Sequence, residues 1–356
     1  MLEFNTPDLF ERLQSETRPI LLYGMGNGAD KILDEMEKRG IPASGVFASD
    51  GFARGNLFRG MRVQSYSEIR SQYKSGECVI LLAFGSSRPE VLELFEQVDR
   101  DFELLVPDMP VCGGALFERA SLTTCKDEIE AARALLADEA SRQLFDRIIE
   151  FRLTGRYSTL MAAVSQKSAW GHLKESGKSI RRIADFGAYN GDSAREAMGL
   201  FDLDFILAAE PDRRNFRKLS EWSKTVPDCE IECHQVAICD RVGEAAFDDS
   251  GNRNAGLCTG RARVTVQTST PDALLSGRAV DYMKFDIEGA EREALDGSAQ
   301  TIRAHLPALR IALYHKSADL FEIPLQLAKI SPRYRLYLTR ERSAPAWDID
   351  LVAIPT

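Results

Sequence analysis

The stretch ADFGAYNGDSAREA, residues 184–197, decides how the second half of the chain folds. Its first residues complete a short buried strand, and the residues after the break open a helix that Asp192 or Ser193 is placed to cap. Strand and helix are separated by three small or turn-prone residues, Gly187, Asn190 and Gly191. A strand, a glycine turn and a helix N-terminus together expose backbone N–H groups to a ligand. The stretch therefore predicts a binding site at the start of an α/β unit.

An acidic residue follows the next strand at a spacing typical of nucleotide-binding sheets. The strand at residues 204–209 is followed by Glu210, which lies 210 − 185 = 25 residues after Asp185. An acid about 20 residues downstream, at the tip of the neighbouring strand, is where such sheets hydrogen-bond a ribose diol. A glycine turn with a purely structural role is the alternative. Acids at two matched strand ends favour adenosine recognition.

The turn itself differs from the fingerprint of dinucleotide-binding proteins. That fingerprint, G-x-G-x-x-G, lets a pyrophosphate lie on the helix end, whereas this turn has the pattern D-x-G-x-x-x-G. The leading carboxylate of Asp185 repels phosphate but suits an ammonium or sulfonium group. S-adenosyl-L-methionine, a cation without phosphate, is therefore the cofactor that these residues predict.

Composition and charge narrow the choice of partners. The 356-residue chain has a formal net charge of −9, which argues against a protein that grips phosphate backbones. No segment approaches the roughly 18 unbroken apolar residues of a membrane span, and the N-terminus lacks a secretory signal. We therefore expect a cytoplasmic protein that has neither nucleic acid nor a membrane as its partner.

Four residues of metal-ligating types lie close together in the second half of the chain, namely Cys229, Cys233, His234 and Cys239. If residues 230–238 form a strand, neighbouring side chains point to opposite faces and cannot share a tetrahedral ion. The seven cysteines are an odd number without a framework spacing, which favours reduced thiols. We predict no metal at this cluster.

Strands alternate with helices along most of the chain, which predicts parallel α/β sheets. Residues 128–154 have no strand signal and read as one or two helices that join two such halves. We expect an N-terminal Rossmann-like accessory domain at residues 1–120, a helical connector at 121–170 and a second doubly wound domain at 171–356. The segments RYRLYLT and WDIDLVAIP predict a closing antiparallel hairpin of edge strands.

Several motifs in the second half resemble the FkbM-type methyltransferases, a branch of the class I S-adenosylmethionine-dependent fold. They are DFGAYNGDSAREA, AAEPD, VAICD, DYMKFDIEGAEREALDGS and ALRIALYHKSADLFEIPLQL, and the most specific is the K-x-D-x-E-G-A-E block at residues 284–291. The resemblance covers about residues 180–355. It implies O-methylation of a hydroxyl on a sugar, a glycan or a small natural product.

The resemblance also implies roles for particular residues. Glu210 would bind the ribose hydroxyls and Ala237, near the end of the third strand, would border the adenine. The methionine portion would be held by Asp185, Gly187, Gly191 and Asp192. Two neighbours in the same strand–turn–helix unit, Ala188 and Ser193, are further candidate cofactor-binding residues.

Methyl transfer to a hydroxyl needs a general base at the strand tips. Asp286 and Glu288 end the fourth strand, and His315 follows the fifth. An imidazole with a pKa near 6.5 accepts a proton at neutral pH, although a histidine after a strand is often only a core or capping group. The paired carboxylates also allow a Mg²⁺ site, but they can equally orient the loop or cap the next helix, and we expect no metal. Lys284 would face the same side and balance the charge of Asp286.

Two further segments carry weaker signals. LLYGMGNGA with Asp50 resembles a dinucleotide fingerprint in which Ala29 replaces the third glycine. This leaves two alternatives open, an NAD(P)- or sugar-nucleotide-binding oxidoreductase or sugar-modifying enzyme, and a non-catalytic nucleotide-binding protein. The N-terminal domain can also have a structural role or form a homo-oligomer. Residues 252–256 are candidate acceptor contacts or a solvated hairpin tip.

Overall fold

The structure is a computed structural model that describes residues 7–247 and 264–356. Its first part is built from α1 (Leu9–Gln14), β1 (Ile20–Tyr23), α2 (Asn27–Lys38), β2 (Gly45–Ala48), β3 (Leu57–Phe58), β4 (Met61–Ser65), α3 (Tyr66–Gln72), β5 (Val79–Leu82), α4 (Pro89–Asp101) and β6 (Glu103–Leu105). The six strands form one sheet in the order β3-β4-β2-β1-β5-β6, parallel except for the β3–β4 pair. Every residue of β1, β2 and β5 is buried, as expected of parallel strands covered by helices on both faces.

A run of helices follows this sheet: α5 (Arg119–Thr124), α6 (Lys126–Leu135), α7 (Glu139–Thr154), α8 (Tyr157–Ala162) and α9 (Ala169–Glu175). The expected helical stretch at 128–154 is therefore two helices, α6 and α7. The domain boundaries at residues 120 and 170 stay a prediction, and both positions fall inside helices, α5 and α9.

The second part contains β7 (Arg182–Phe186), α10 (Asp192–Met198), β8 (Phe205–Ala209), α11 (Arg213–Ser223), β9 (Glu230–His234), β10 (Ala237–Ile238), β11 (Gly243–Phe247), β12 (Val264–Ser269), α12 (Pro271–Leu275), β13 (Tyr282–Phe285), α13 (Glu291–Asp296), α14 (Ala299–His305), β14 (Ala308–Ala312), α15 (Asp319–Ile330), β15 (Tyr334–Arg340) and β16 (Ile349–Pro355). Seven of the strands form a sheet in the order β15-β16-β14-β13-β7-β8-β9. Strands β7, β8, β9, β13 and β14 are parallel, and β16 is antiparallel to both β14 and β15. This topology confirms the expected α/β class with two doubly wound sheets and a closing hairpin.

Two expectations about the second sheet are wrong in detail. Strand β16 is not an edge strand, because it lies between β14 and β15 and all seven of its residues are buried. The expected third strand at 229–238 breaks after His234, which pairs with Ala209 at the end of β8, so the residues beyond have no partner there. Ala237 instead belongs to a separate three-stranded sheet, β10-β12-β11.

The two halves share one hydrophobic core, which includes Leu21 and Phe95 from the first half and Phe285 and Leu351 from the second. Helix α7 crosses this junction. Its Arg152 is buried and donates to the backbone oxygen of Ser317 at 2.6 Å, and it pairs with Asp108 at 3.1 Å. A buried charge is tolerated here because it has both a counter-ion and hydrogen-bond acceptors.

A loop from the second half, residues 341–348, lies on the carboxyl edge of the first sheet. Ser86 and Ala344 exchange two backbone hydrogen bonds, of 2.8 and 3.0 Å. The Trp347 ring occupies the space beside Gly85, where a Cβ would come within 2.6 Å of the ring atom Cζ3. The crevice in which an α/β sheet ordinarily receives a ligand is thus filled here by the protein's own chain.

We expect Gly85→Ala to displace Trp347 and to lower the free energy of unfolding by about 1–3 kcal/mol, because the added methyl group overpacks this contact. Urea unfolding measures the loss, and tryptophan fluorescence reports the displaced ring. The control is Gly51→Ala, since a Cβ at Gly51 has no neighbour within 4 Å. Equal stabilities for the two variants would contradict a tight contact at Gly85.

Candidate active site

A cavity of about 300 Å³ opens at the carboxyl ends of β7, β8, β13 and β14. Parallel α/β sheets ordinarily bind their ligands at this edge. The cavity brings together seven of the predicted site residues: Gly187, Asp192, Ser193, Glu210, Ala237, Asp286 and Glu288. Four others do not line it, namely Asp185, Ala188, Gly191 and His315.

Asp185 lies beneath the cavity and acts on it through two neighbours. Its carboxylate accepts a hydrogen bond from the Ser193 hydroxyl at 2.7 Å and pairs with the Lys284 ammonium at 3.4 Å. Burial raises the pKa of Asp185, and the charge of Lys284 opposes that shift. Because Ser193 and Lys284 both line the cavity, the acid that leads the glycine turn fixes their positions.

The glycines of the turn have a packing role that the sequence did not indicate. Gly187 has φ of 80° and Gly191 φ of 87°, values that L side chains rarely adopt. A Cβ at Gly187 would overlap the carbonyl oxygen of Asp286, and one at Gly191 would lie 2.5 Å from the Trp222 ring. Both glycines therefore allow close packing of the protein chain, and Gly191 does not line the cavity.

The cap expected for the first helix of this unit is also wrong. Helix α10 begins at Asp192, so its N-cap is Gly191, which makes no side-chain cap hydrogen bond. The Ser193 hydroxyl is directed to Asp185 instead. The Asp192 carboxylate accepts the backbone N–H of Ser193 at 2.9 Å from the first helical position, and both residues line the cavity.

Glu210 is a buried carboxylate held in one orientation. One of its oxygens accepts the backbone N–H of Tyr189, and the other accepts the N–H of Asp212, each at 2.9 Å. Burial raises the pKa of Glu210 to about 7, against the effect of these two donors. A carboxylate has about four acceptor positions, so two remain for a ligand with paired hydroxyls. The neighbouring cavity wall is apolar and consists of Val236, Ala237, Ile238 and Phe247.

Acidic side chains gather at the other end of the cavity. Asp286 accepts a hydrogen bond from the Tyr314 hydroxyl at 3.1 Å and lies 3.6 Å from the Lys284 ammonium. Burial would raise the pKa of Asp286, but the charges of Lys284 and of His315 lower it. Asp286 is therefore a permanently charged carboxylate at neutral pH. The expected charge pair between Lys284 and Asp286 is present.

Glu288 differs from Asp286 in its environment. It follows the strand in a left-handed conformation, with φ of 54°, so the two carboxylates are not placed by a common strand face. Burial raises the pKa of Glu288 to about 7, and the charge of His315 opposes that shift. Glu288 is thus a cavity carboxyl group that can take up and release a proton near neutral pH.

Asp348 is a third carboxylate at this end, and the sequence analysis missed it. It lines the cavity from the loop 341–348, and burial raises its pKa to about 6. The sequence signal that could have indicated Asp348 was the Asp-x-Asp pattern in WDID. The second acid of this pattern, Asp350, pairs with the cavity residue Arg310 at 2.7 Å. The position of Asp348 depends on a distant contact, the packing of Trp347 on the first sheet.

His315 does not have the properties expected of a general base. Its side chain is fully buried, its Nδ1 lies 2.8 Å from Glu291, and its Nε2 lies 3.5 Å from Glu288 and 3.6 Å from Asp286. Burial would lower the pKa of His315, but the three carboxylates raise it to about 10. The ring is therefore an imidazolium at neutral pH and has no free position to accept a proton.

We expect His315→Gln to destabilise the protein by about 3 kcal/mol or more at pH 6, because it leaves buried carboxylates without their counter-ion. The pKa of His315 is higher in the folded than in the unfolded chain. Its contribution is therefore complete below about pH 6.5 and is lost as the pH rises through about 10.

Urea unfolding at pH 6 and pH 10 should show the difference between wild type and His315→Gln shrinking at the higher pH. His305→Gln is the matched control, since His305 is exposed at the end of α14. A difference that stays constant across this range would contradict a charged His315.

Other predicted features are placed as follows. Among residues 7–247 and 264–356, no group of three or more His, Cys, Asp or Glu side chains is arranged to hold a metal ion. No helix in this described part of the chain is long and apolar enough to cross a membrane. The candidate acceptor contacts at 252–256 lie outside the described residues.

Comparison with known proteins supports the class of enzyme that this geometry indicates. Residues 185–331 match the family described as methyltransferase FkbM domain. The fold is similar to the crystal structure of a methyltransferase FkbM from Methylobacillus flagellatus KT, with a TM-score of 0.70, 18% sequence identity and coverage of 97% of this chain and 92% of that one. No curated protein matches the sequence.

Two further solved structures are similar over about half of the chain. A putative rRNA-methylase from Clostridium thermocellum has a TM-score of 0.35 and 8% identity and covers 54% of this chain and 97% of its own. A precorrin-6y C5,15-methyltransferase from Geobacter metallireducens GS-15 has a TM-score of 0.33 and 11% identity, with coverages of 53% and 87%.

Residues 185–331, which contribute most of the lining of this cavity, match a methyltransferase domain. More particularly, the match is to the methyltransferase FkbM domain. This confirms the family resemblance carried by the strand–turn–helix unit and by the block at residues 284–291.

Proposed function

We propose that the protein is an S-adenosyl-L-methionine-dependent O-methyltransferase that acts on a hydroxyl of a sugar, a glycan or a small natural product. One observation carries the proposal. A single cavity holds an oriented carboxylate, Glu210, at one end and a carboxyl group with a pKa of about 7, Glu288, at the other. The first suits a ribose and the second suits proton removal from an acceptor hydroxyl.

The chemistry of the cavity fits this cofactor. In the proposed binding mode, we assign the ribose hydroxyls to Glu210, the planar base to the apolar wall that contains Ala237, and the zwitterionic amino-acid end to Asp192 and Ser193. A phosphate-bearing ligand would face acidic walls, and the two cavity cations are already paired, Lys284 with Asp185 and Arg310 with Asp350. When bound, S-adenosyl-L-methionine supplies an electrophilic methyl group.

Glu210→Gln is expected to weaken the binding of S-adenosyl-L-methionine at least tenfold. The reason is that a neutral amide replaces a carboxylate and can no longer accept from both Tyr189 and Asp212 with spare acceptor positions for the ribose. Titration calorimetry measures the change. Glu221→Gln, at an exposed residue on α11, is the control and should bind like wild type.

The decisive comparison in the same calorimeter is between S-adenosyl-L-methionine and NADH. Binding of the former alone supports the proposal. Tight binding of NADH without any heat from S-adenosyl-L-methionine would refute it and would favour the dinucleotide alternative.

Proton removal is assigned to Glu288 rather than to His315. As the acceptor oxygen forms its new bond, its proton passes to the Glu288 carboxylate, which near neutral pH is partly unprotonated. Asp286 stays charged and is held by Tyr314, so it can orient a second hydroxyl of the acceptor. His315 balances the charge of both carboxylates.

Glu288→Gln is expected to lower the rate of methyl transfer by about 10²–10⁴-fold, because the amide cannot accept the proton, while the affinity for S-adenosyl-L-methionine is retained. Tritiated cofactor and a mass-spectrometric search of cell extract for methylated species provide the assay. Glu293→Gln, at a half-exposed residue on α13, serves as the control. Full activity in Glu288→Gln would remove Glu288 as the base.

Two observations weigh against the dinucleotide alternative for the first half. Asp50, the acid of the weak fingerprint, accepts hydrogen bonds from the backbone N–H and the hydroxyl of Ser67, at 2.8 and 2.6 Å. Its carboxylate is therefore engaged by the first turn of α3, whose N-cap is Ser65. The crevice beside Gly85 contains Trp347.

A further inference from the structure

The first half of the chain reaches the acidic end of the cavity through the segment 106–118, which follows β6. Within it, the Cys112 thiol donates to a Glu288 carboxylate oxygen at 3.3 Å, and the Cys112 backbone N–H donates to the carbonyl oxygen of His315, also at 3.3 Å. Cys112 thus contacts two loops of the second half. The loop after β13 carries the proposed base, Glu288, and the loop after β14 carries its counter-charge, His315.

The position of Cys112 is fixed from both sides. On the side of the first sheet, the Lys31 ammonium of α2 donates to the carbonyl oxygens of Pro110 and Val111, at 2.9 and 3.1 Å. On the side of the cavity, Gly289 has φ of 91°, and a Cβ there would lie 2.9 Å from the Cys112 Cβ. The segments around Cys112 and Gly289 therefore approach each other so closely that only glycine fits at position 289.

The thiol is a neutral donor to Glu288. Burial and the neighbouring Glu288 raise the pKa of Cys112, so the sulfur keeps its proton at neutral pH. The other groups that act on Glu288 are His315, which stabilises its charged form, and Asp286 and Glu291, which oppose it. Of the groups that face Glu288 in the described part of the chain, Cys112 alone belongs to the first half.

We propose that Cys112 is a positioning residue of the methyl-transfer site, whose thiol, held in place by Lys31, orients the Glu288 carboxylate and sets the pH at which it takes up a proton. The first half of the chain then completes the active site of the second. The inference rests on the proposed function, because it gives the base assigned there a partner.

The test measures the titration of Glu288 directly and needs no acceptor. Protein labelled with ¹³C at the glutamate carboxyl carbon is titrated by NMR, and Glu288→Gln identifies the signal. Removing a donor to a carboxylate destabilises its charged form, so Cys112→Ala should raise the midpoint by about 0.5–1 pH unit. Cys112→Ser keeps a donor and should stay closer to wild type than Cys112→Ala does.

Two further variants make the result decisive. Cys125→Ala removes a partly buried thiol between α5 and α6 and should leave the midpoint of Glu288 unchanged. Lys31→Met releases the segment without touching Cys112 and should also raise the midpoint, which covers the case in which Cys112→Ala does not fold. An unchanged midpoint in folded Cys112→Ala, or in Lys31→Met where Cys112→Ala does not fold, overturns the proposal.

Calorimetry on the same wild-type sample distinguishes a failure of the role of Cys112 from a failure of the proposed function. Binding of S-adenosyl-L-methionine together with an unchanged midpoint in the variants refutes the role of Cys112 alone. A wild-type protein that produces no heat with S-adenosyl-L-methionine refutes the proposed function and, with it, the positioning role of Cys112 in methyl transfer, whatever the midpoint.

Discussion

The Lys284 ammonium is the interaction on which the site depends. It is buried between two carboxylates, Asp185 at the end of β7 and Asp286 just after β13, at 3.4 and 3.6 Å. Burial would lower the pKa of Lys284, but the two acids raise it. Lys284 therefore stays charged at a buried position where an amine without acidic neighbours would tend to lose its proton. Each acid in turn is kept from the cost of an unpaired buried charge. The two adjacent strand ends are thereby tied together electrostatically.

The backbone makes the same junction by close contact. Gly187 leaves room for the carbonyl of Asp286, and the residues beyond Asp286 then turn through Glu288 and Gly289, both with positive φ. This turn directs Glu288 towards His315 and Cys112. The carboxylates of Asp286, Glu288 and Glu291 therefore surround the His315 imidazolium. Their unequal environments make Asp286 a permanently charged acid, whereas Glu288 titrates near neutral pH.

Much of this architecture could be predicted from local sequence. The alternation of apolar strands with helices determines the two doubly wound sheets, and an acid directly after an apolar strand places Glu210 and Asp286 at the carboxyl edge. These features depend on residues close together in the chain, for which periodicity and turn chemistry are sufficient. The same reasoning placed Lys284 beside Asp286.

The errors arose where distant residues decide the outcome. The protonation of His315 depends on Glu291, Glu288 and Asp286 together, and the contact among these four groups is a property of the fold rather than of any segment. Asp348 lines the cavity from a loop in which its neighbour Trp347 packs against Gly85, more than 250 residues earlier in the sequence. Likewise, β16 could not be recognised as an interior strand, because its place is set by β14 and β15 on either side.

The interior position of β16 affects how the protein folds while it is being synthesised. Of the strands described, β16 leaves the ribosome last, yet it separates β14 from β15, and the loop before it rests on the first sheet. Until β16 has been synthesised, β15 has no partner in the second sheet and the contact of the preceding loop with the first sheet is incomplete, so the packing of both halves waits for this one strand. A nascent chain that lacks β16 leaves apolar strand residues unpaired, and in that state its need for chaperone protection is greatest.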